Sequence, residues 1–142
     1  MKIQPFFDSR SLQAHPAAQA IQNILSAAIT AVEPGTAVHN FMQRNGESLD
    51  VDGVNYDLSH YQHVFLLAIG KASLAMTQAA IDILGDYLTR AWVIPKHEQA
   101  LNDPRVQIRR GGHPIPDENS LKAGQLLMEA CAQFCARDLI IC

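Results

Sequence analysis

The sequence predicts an α/β fold: an open, mostly parallel sheet with flanking helices, plus a small β-hairpin. Three observations carry that expectation. Val64-Phe-Leu-Leu-Ala-Ile69 is an unbroken apolar run of six residues, the pattern of a strand covered on both faces. It leads through Gly70-Lys71-Ala72-Ser73 into a helical stretch and then into a second apolar run, Ala91-Trp-Val-Ile94. Strand, helix and strand within about thirty residues make one right-handed parallel unit. A third strand, a second helix and a final apolar run follow in the same order towards the chain end.

The elements follow in order. Leu12 belongs to a short turn, and Pro16 suits the first turn of a helix over Ala17–Val32. There Ile21, Ile24, Leu25, Ala28, Ile29 and Val32 recur at helical spacing, and Pro34-Gly35 ends the run. Val38–Arg44 reads as a strand. Ser48–Val51 and Val54–Tyr56 flank Asp52-Gly53, a two-residue hairpin turn. After the Val64–Ile69 strand, Leu74, Met76, Ala79, Ile83 and Leu84 mark a helix stopped by Gly85. Pro95 ends the Ala91–Ile94 strand, and Val106–Arg109 is the next one. Gly111-Gly-His-Pro-Ile-Pro-Asp117 holds too much Gly and Pro for a regular element. Asn119 or Ser120 caps a helix whose face carries Leu121, Gly124, Leu127, Met128, Cys131, Phe134 and Cys135. Asp138-Leu-Ile-Ile-Cys142 starts a further strand, so the chain reads as cut in mid-fold.

At 142 residues the chain holds one ordinary domain. Its 48% hydrophobic and 18% charged content is that of a globular protein. Eleven basic against fourteen acidic residues give a net charge of −3, which supplies no general field for nucleic acid or anionic membranes. No window approaches a membrane span, and Met1–Arg10 lacks the apolar core of a signal peptide. The expected setting is cytoplasmic. Cys131, Cys135 and Cys142 are too few and too clustered for a disulfide framework, and read as buried or semi-buried structural thiols in a reducing compartment. His15, His39, His60, His63 and His97 are scattered without metal-ligand spacing, so no metal site is expected.

Two places concentrate chemistry. In open α/β sheets ligands collect at the carboxyl ends of strands, beside helix N-termini. Gly70 permits a tight turn there, the free N–H groups of the following helix attract an anion, and Lys71 adds a full charge. Ser73 either caps that helix or touches the same ligand. The plainer alternative is that Gly70 only turns the chain and Lys71 is solvated. Neither the Walker loop nor G-x-G-x-x-G is present. The second place is the Gly111–Asp117 loop, stiffened in advance by Pro114 and Pro116. His113 there acts as donor, as general base, or in a local structural hydrogen bond. Asp117 hydrogen-bonds a hydroxyl, orients His113, or caps the following helix. Arg109 and Arg110, beside the glycines, either grip a carboxylate or phosphate or stay solvated at the strand end.

Ala68-Ile-Gly-Lys-Ala-Ser73, followed by Met76, and GGHPIPDENS from Gly111 to Ser120 resemble the N-terminal portion of the glycerate 2-kinases with a MOFRL-type C-terminal domain, some of whose members are labelled hydroxypyruvate reductases. The resemblance covers essentially the whole chain and both motifs stand in the family's order. It implies ATP-dependent phosphorylation of D-glycerate to 2-phosphoglycerate, with Mg2+, in a cleft between a larger Rossmann-like domain and a smaller one. It makes Lys71 an active-site residue and places His113 and Asp117 near the same cleft, with Gly70 and Ser73 in the motif beside them. Residues 1–142 then correspond to the first part of the larger domain. In the family the strand resembling Asp138–Cys142 leads into a Ser-Gly-Gly-Gly-Ser loop, and the sequence here stops before it. The isolated chain is therefore expected to lack kinase activity, with the magnesium ligands beyond Cys142. The partners implied are D-glycerate and ATP, with no nucleic acid and no membrane; homo-oligomerisation stays open. The competing readings are a hydroxypyruvate reductase, weakened by the missing nicotinamide fingerprint, and a non-catalytic domain that binds a small anion or a partner.

Overall fold

A computed structural model describes residues 9–97 and 99–142. The chain divides into two units, 1–33 and 34–142. In the first, α1 (Arg10–Gln13) is capped by Ser9 and followed by α2 (Ala18–Ala31), close to the expected span. No residue of α2 is buried, and Ile24 and Val32 are exposed. Most of Met1–Arg10, read above for a signal peptide, lies outside the described residues.

The second unit holds two sheets. Val38–Arg44 is not one strand: α3 (Pro34–Phe41) takes its first four residues, and β1 (Met42–Asn45) takes the rest. Pro34 stands at a first helical position, where its fixed φ and missing N–H favour initiation. The residue expected only to end one helix therefore also begins the next. The hairpin is present as β2 (Ser48–Val51) and β3 (Val54–Asp57), with Asp52 and Gly53 both at positive φ, 51° and 81°. Strand β1 pairs antiparallel on the other edge of β2, so the hairpin is part of a three-stranded meander.

The larger sheet comprises β4 (His63–Gly70), β5 (Leu88–Pro95), β6 (Val106–Ile108) and β7 (Asp138–Ile141), all parallel, in the order β6-β5-β4-β7. With β4 as the first strand, this is the 3-2-1-4 half of the doubly wound order. The predicted parallel, Rossmann-like sheet with flanking helices is thus what forms. Helix α4 (Ser73–Leu84) joins β4 to β5, and α5 (Glu118–Cys131) crosses back from β6 to β7.

Alternate strand residues point to opposite faces, and the core sorts accordingly. Val64, Leu66, Ala91 and Val93 pack with Ala80, Ile81 and Leu84 of α4, and Met42, Leu49 and Leu58 of the small-sheet region join the same cluster. Leu49, Leu84 and Leu88 are almost wholly buried, each contributing about 1.5–3 kcal/mol of transfer free energy. On the other face Phe65 and Trp92 meet Phe134, with ring centroids 5.0 Å and 5.8 Å apart. The cysteines depart from expectation. All three thiols are free and exposed, because α5 ends at Cys131 and its buried positions go to Ala123 and Ala130. Among the described residues no helix is long and apolar enough to cross a membrane.

Candidate functional site

The carboxyl ends of β4 and β5 stand side by side, with Gly70 opposite Pro95 in the ladder. Each strand is followed at once by a lysine, Lys71 and Lys96, and both line a cavity of about 500 Å3. The rest of the wall is mostly apolar, from Ile69, Ile94, Ala123 and Leu127, joined by Gly111, Gly112 and His113 of the loop and by Ser120 and Gly124 of α5. Gly70 has φ 114°, a conformation that side-chain-bearing residues rarely adopt. An added Cβ there meets open space, so the glycine is required by the turn and not by crowding. Ala72, the N-cap of α4, provides no side-chain cap, which leaves the first N–H groups of the helix unpaired by side chains next to Lys71.

The loop is held from both ends. The N–H of Arg109 donates to Val93 O at 3.0 Å and that of Gly111 to Pro95 O at 3.2 Å, extending the β5–β6 ladder into the loop. The Gly112 N–H donates to Ser120 Oγ at 2.8 Å. A Cβ on Gly112 would lie 2.7 Å from both Asp117 Cγ and Ile115 O, so only glycine fits. The His113–Pro114 peptide is cis. His113 is exposed and lines the cavity, with no hydrogen-bond partner among the described residues.

Asp117 takes the role of helix cap. Its Oδ1 accepts the Ser120 N–H at 3.0 Å, and its own N–H donates to Ser120 Oγ at 3.3 Å, closing a capping box. The Ser120 N–H, above all, together with the amide of Asn119, holds the carboxyl below its ordinary range. Asp117 does not line the cavity; it shapes it through Ser120 and Gly112.

Ser73 lies elsewhere. It is 3% exposed at the start of α4, and its Oγ and Thr77 Oγ1 have no hydrogen-bond partner among the described residues. Both residues line a separate, mostly apolar cavity of about 380 Å3 that includes Val38, Met42 and Ile141. Lys71, Gly70 and His113 are thus brought together, Asp117 supports them at one remove, and Ser73 lines another space. Sequence reasoning missed Lys96, and it placed Gly112 in the loop and Ser120 as a helix cap without seeing that the two bond to each other. The strand-end rule applied to Lys71 points equally to Lys96, because both follow the last residue of neighbouring parallel strands.

Neither Lys71 nor Lys96 has a carboxylate partner among the described residues. No carboxylate lines the cavity, and no group of three His, Cys, Asp or Glu among the described residues is arranged to hold a metal. The two lysines suit an anion, and the lining does not fit a magnesium ion.

Fold and cavity together define a doubly wound α/β domain with a lysine-lined cavity at the carboxyl edge of its sheet. The chain belongs to the family described as "Domain of unknown function (DUF4147)", whose model matches residues 20–142. It is similar to the glycerate kinase of Danio rerio, 26% identical over 132 residues that make up 83% of this chain and 26% of that protein. It is also similar to the D-glycerate 2-kinase of Thermotoga maritima, 33% identical over 81 residues, 55% of this chain and 19% of that one. The crystal structure of a glycerate kinase from Thermotoga maritima superposes with a TM-score of 0.61 at 28% identity, covering 83% of this chain and 25% of the other. The chain spans about a quarter of the length of the curated relatives it matches. The resemblance to glycerate kinases read from the Gly-Lys-Ala and His-Pro-Ile-Pro-Asp motifs stands.

Proposed function

We propose that this chain forms one wall of a glycerate kinase active site, in which the intact protein transfers the terminal phosphoryl group of ATP to the 2-hydroxyl of D-glycerate, giving 2-phosphoglycerate. The observation that carries the reading is the convergence of Lys71 and Lys96, at the ends of adjacent strands, on one cavity closed by Gly112 and His113. Phosphoryl transfer is largely positioning and charge stabilisation. Lys71, beside the uncapped N-terminus of α4, holds the transferring phosphate or the glycerate carboxylate, and its charge gains value as negative charge shifts to the leaving oxygen. Lys96 shares that load from β5. The exposed ring of His113 orients glycerate through its N–H, and Asp117 keeps the loop in register through Ser120. ATP supplies the phosphoryl group; no step is assigned to magnesium, which the residues of this cavity do not fit. The setting we infer is cytoplasmic, where three exposed thiols remain reduced.

The test is a chimera in which this chain replaces the matched segment of the Thermotoga maritima D-glycerate 2-kinase. A coupled assay for ADP release with D-glycerate is expected to show turnover by the chimera and none by the 142-residue chain alone. Oxidation of NADH with hydroxypyruvate, without ADP release, would overturn the kinase reading in favour of a reductase.

A further inference from the structure

Arg109 and Arg110 line a second cavity, of about 580 Å3, together with Asn119 and an apolar floor of Leu101, Val106 and Ile108. It adjoins the Lys71 cavity. Arg110 and Asn119 belong to one, and their chain neighbours Gly111 and Ser120 belong to the other. We propose that Arg109 and Arg110 form a subsite for a phosphoryl group of the ligand whose remainder occupies the Lys71 cavity; the inference rests on the anionic reading of that cavity.

Three features support it. Neither guanidinium has a carboxylate partner among the described residues. With Lys71 and Lys96 they make four unpaired cations at one edge of a chain whose net charge is −3, a local field opposite in sign to the whole. The backbone that carries them is extended and fixed, since the N–H groups of Arg109 and Gly111 are bonded to Val93 O and Pro95 O on either side, so the two side chains leave it on opposite sides and flank the cavity that both line. The nearby carboxylate of Asp117 is already engaged by Ser120 and Asn119, with Asn119 Nδ2 at 3.3 Å, and Glu118 points to Lys122 at 3.8 Å. A planar guanidinium offers paired N–H donors that match phosphate oxygens.

The phosphoryl group comes either from the nucleotide or from a phosphorylated product, and the probes separate the two. The 15N-labelled chain is titrated with ATP, 2-phosphoglycerate and D-glycerate while the Arg Nε–H signals are followed. One or both phosphorylated probes are expected to move the Arg109 and Arg110 signals, and D-glycerate to leave them in place. The double variant Arg109→Gln/Arg110→Gln is expected to weaken the phosphorylated probe about tenfold. A charge-matched control, Arg10→Gln/Arg137→Gln, takes Arg10 from the 1–33 unit and Arg137 from just before β7; it should change affinity less than about twofold. Unmoved Arg109 and Arg110 signals with both phosphorylated probes, or equal weakening by the control, would overturn the subsite. Failure of D-glycerate to perturb Gly70 and Gly112 while the arginines still respond would sink the glycerate reading and leave the subsite standing.

Discussion

The two ends of the parallel sheet treat charge in opposite ways. At the amino end, His63 Nδ1 lies 2.9 Å from Asp138 Oδ1 across the first rung of β4 and β7. Arg90 stacks on Trp92 and donates to Gln107 at 2.9 Å. Arg105 pairs with Asp103 at 2.6 Å and donates to the carbonyls of Gly85 and Leu88. At the carboxyl end, Lys71, Lys96, Arg109, Arg110 and His113 have no side-chain partner among the described residues. Paired charges tie elements to one another, whereas unpaired ones are open to a partner outside the chain; Arg137, exposed just before β7 and also without a carboxylate partner among the described residues, is the exception at the amino end. The contrast separates residues that keep this fold together from residues available to a ligand, using one sheet as its own control.

The sharpest way to break that contrast is Lys71→Met in the chimera with the Thermotoga enzyme. Lys71 is exposed and bonded to nothing described, so its loss should leave the melting temperature unchanged while turnover falls by orders of magnitude, as removal of an electrostatic stabiliser does. Near-normal ADP release from that variant would remove Lys71 from the mechanism. The mirror experiment is Leu84→Ala in α4. Leu84 has no exposed surface, and truncating such a side chain costs about 2–5 kcal/mol through lost burial and the cavity left behind. Urea unfolding should show that loss, while ligand affinity per folded molecule stays at its original value.

Much of the fold was legible because its signals are local. The apolar run of β4, the helix stop at Gly85 and the Asp52-Gly53 turn each declare themselves within a few residues. The α3–β1 boundary did not, because Val38–Arg44 carries apolar residues that suit either period, and the contact of α3 with α4 decides in favour of a helix. A second two-residue turn, Gly46-Glu47, carried its own sequence signal in the glycine, and Gly46 takes φ 61° to join β1 to β2. The site was half legible. Lys71 and His113 stand in recognisable motifs, but Lys96 becomes a neighbour of Lys71 only through the β4–β5 register, and register is a long-range property. Ser73 shows the converse: its place in the motif suggests the ligand side, yet two residues beyond Lys71, in the first turn of α4, it lines another cavity.

Gly112→Ala probes the boundary between the two kinds of residue, because Gly112 is structural in its contacts and functional in its position. The new Cβ would sit 2.7 Å from backbone and from the Asp117 carboxyl carbon, so the loop must shift. A cost of about 1–3 kcal/mol is expected, with a proportionately larger loss of ligand affinity as His113 moves with the loop. Unchanged stability and unchanged binding together would mean that the loop relaxes freely and is not fixed in advance.

The smallest effect belongs to the amino end and has a pH signature. Asp138 accepts the Cys135 N–H at 2.8 Å and faces His63; the backbone bond first and His63 second hold its carboxyl below the ordinary value near 3.8. A carboxyl with a lowered folded-state pKa stabilises the fold above its unfolded value, and that contribution disappears as pH falls through the folded one. Wild-type stability should therefore decline below about pH 4. Asp138→Asn should be less stable at pH 7 and should decline less steeply in that same acid window, as read from urea midpoints at several pH values. The variant should leave phosphate and glycerate binding at the other end of the sheet unchanged. An acid limb as steep in the variant as in the wild type would show that other carboxylates carry the dependence, and that the His63–Asp138 pair is not what ties β7 to β4.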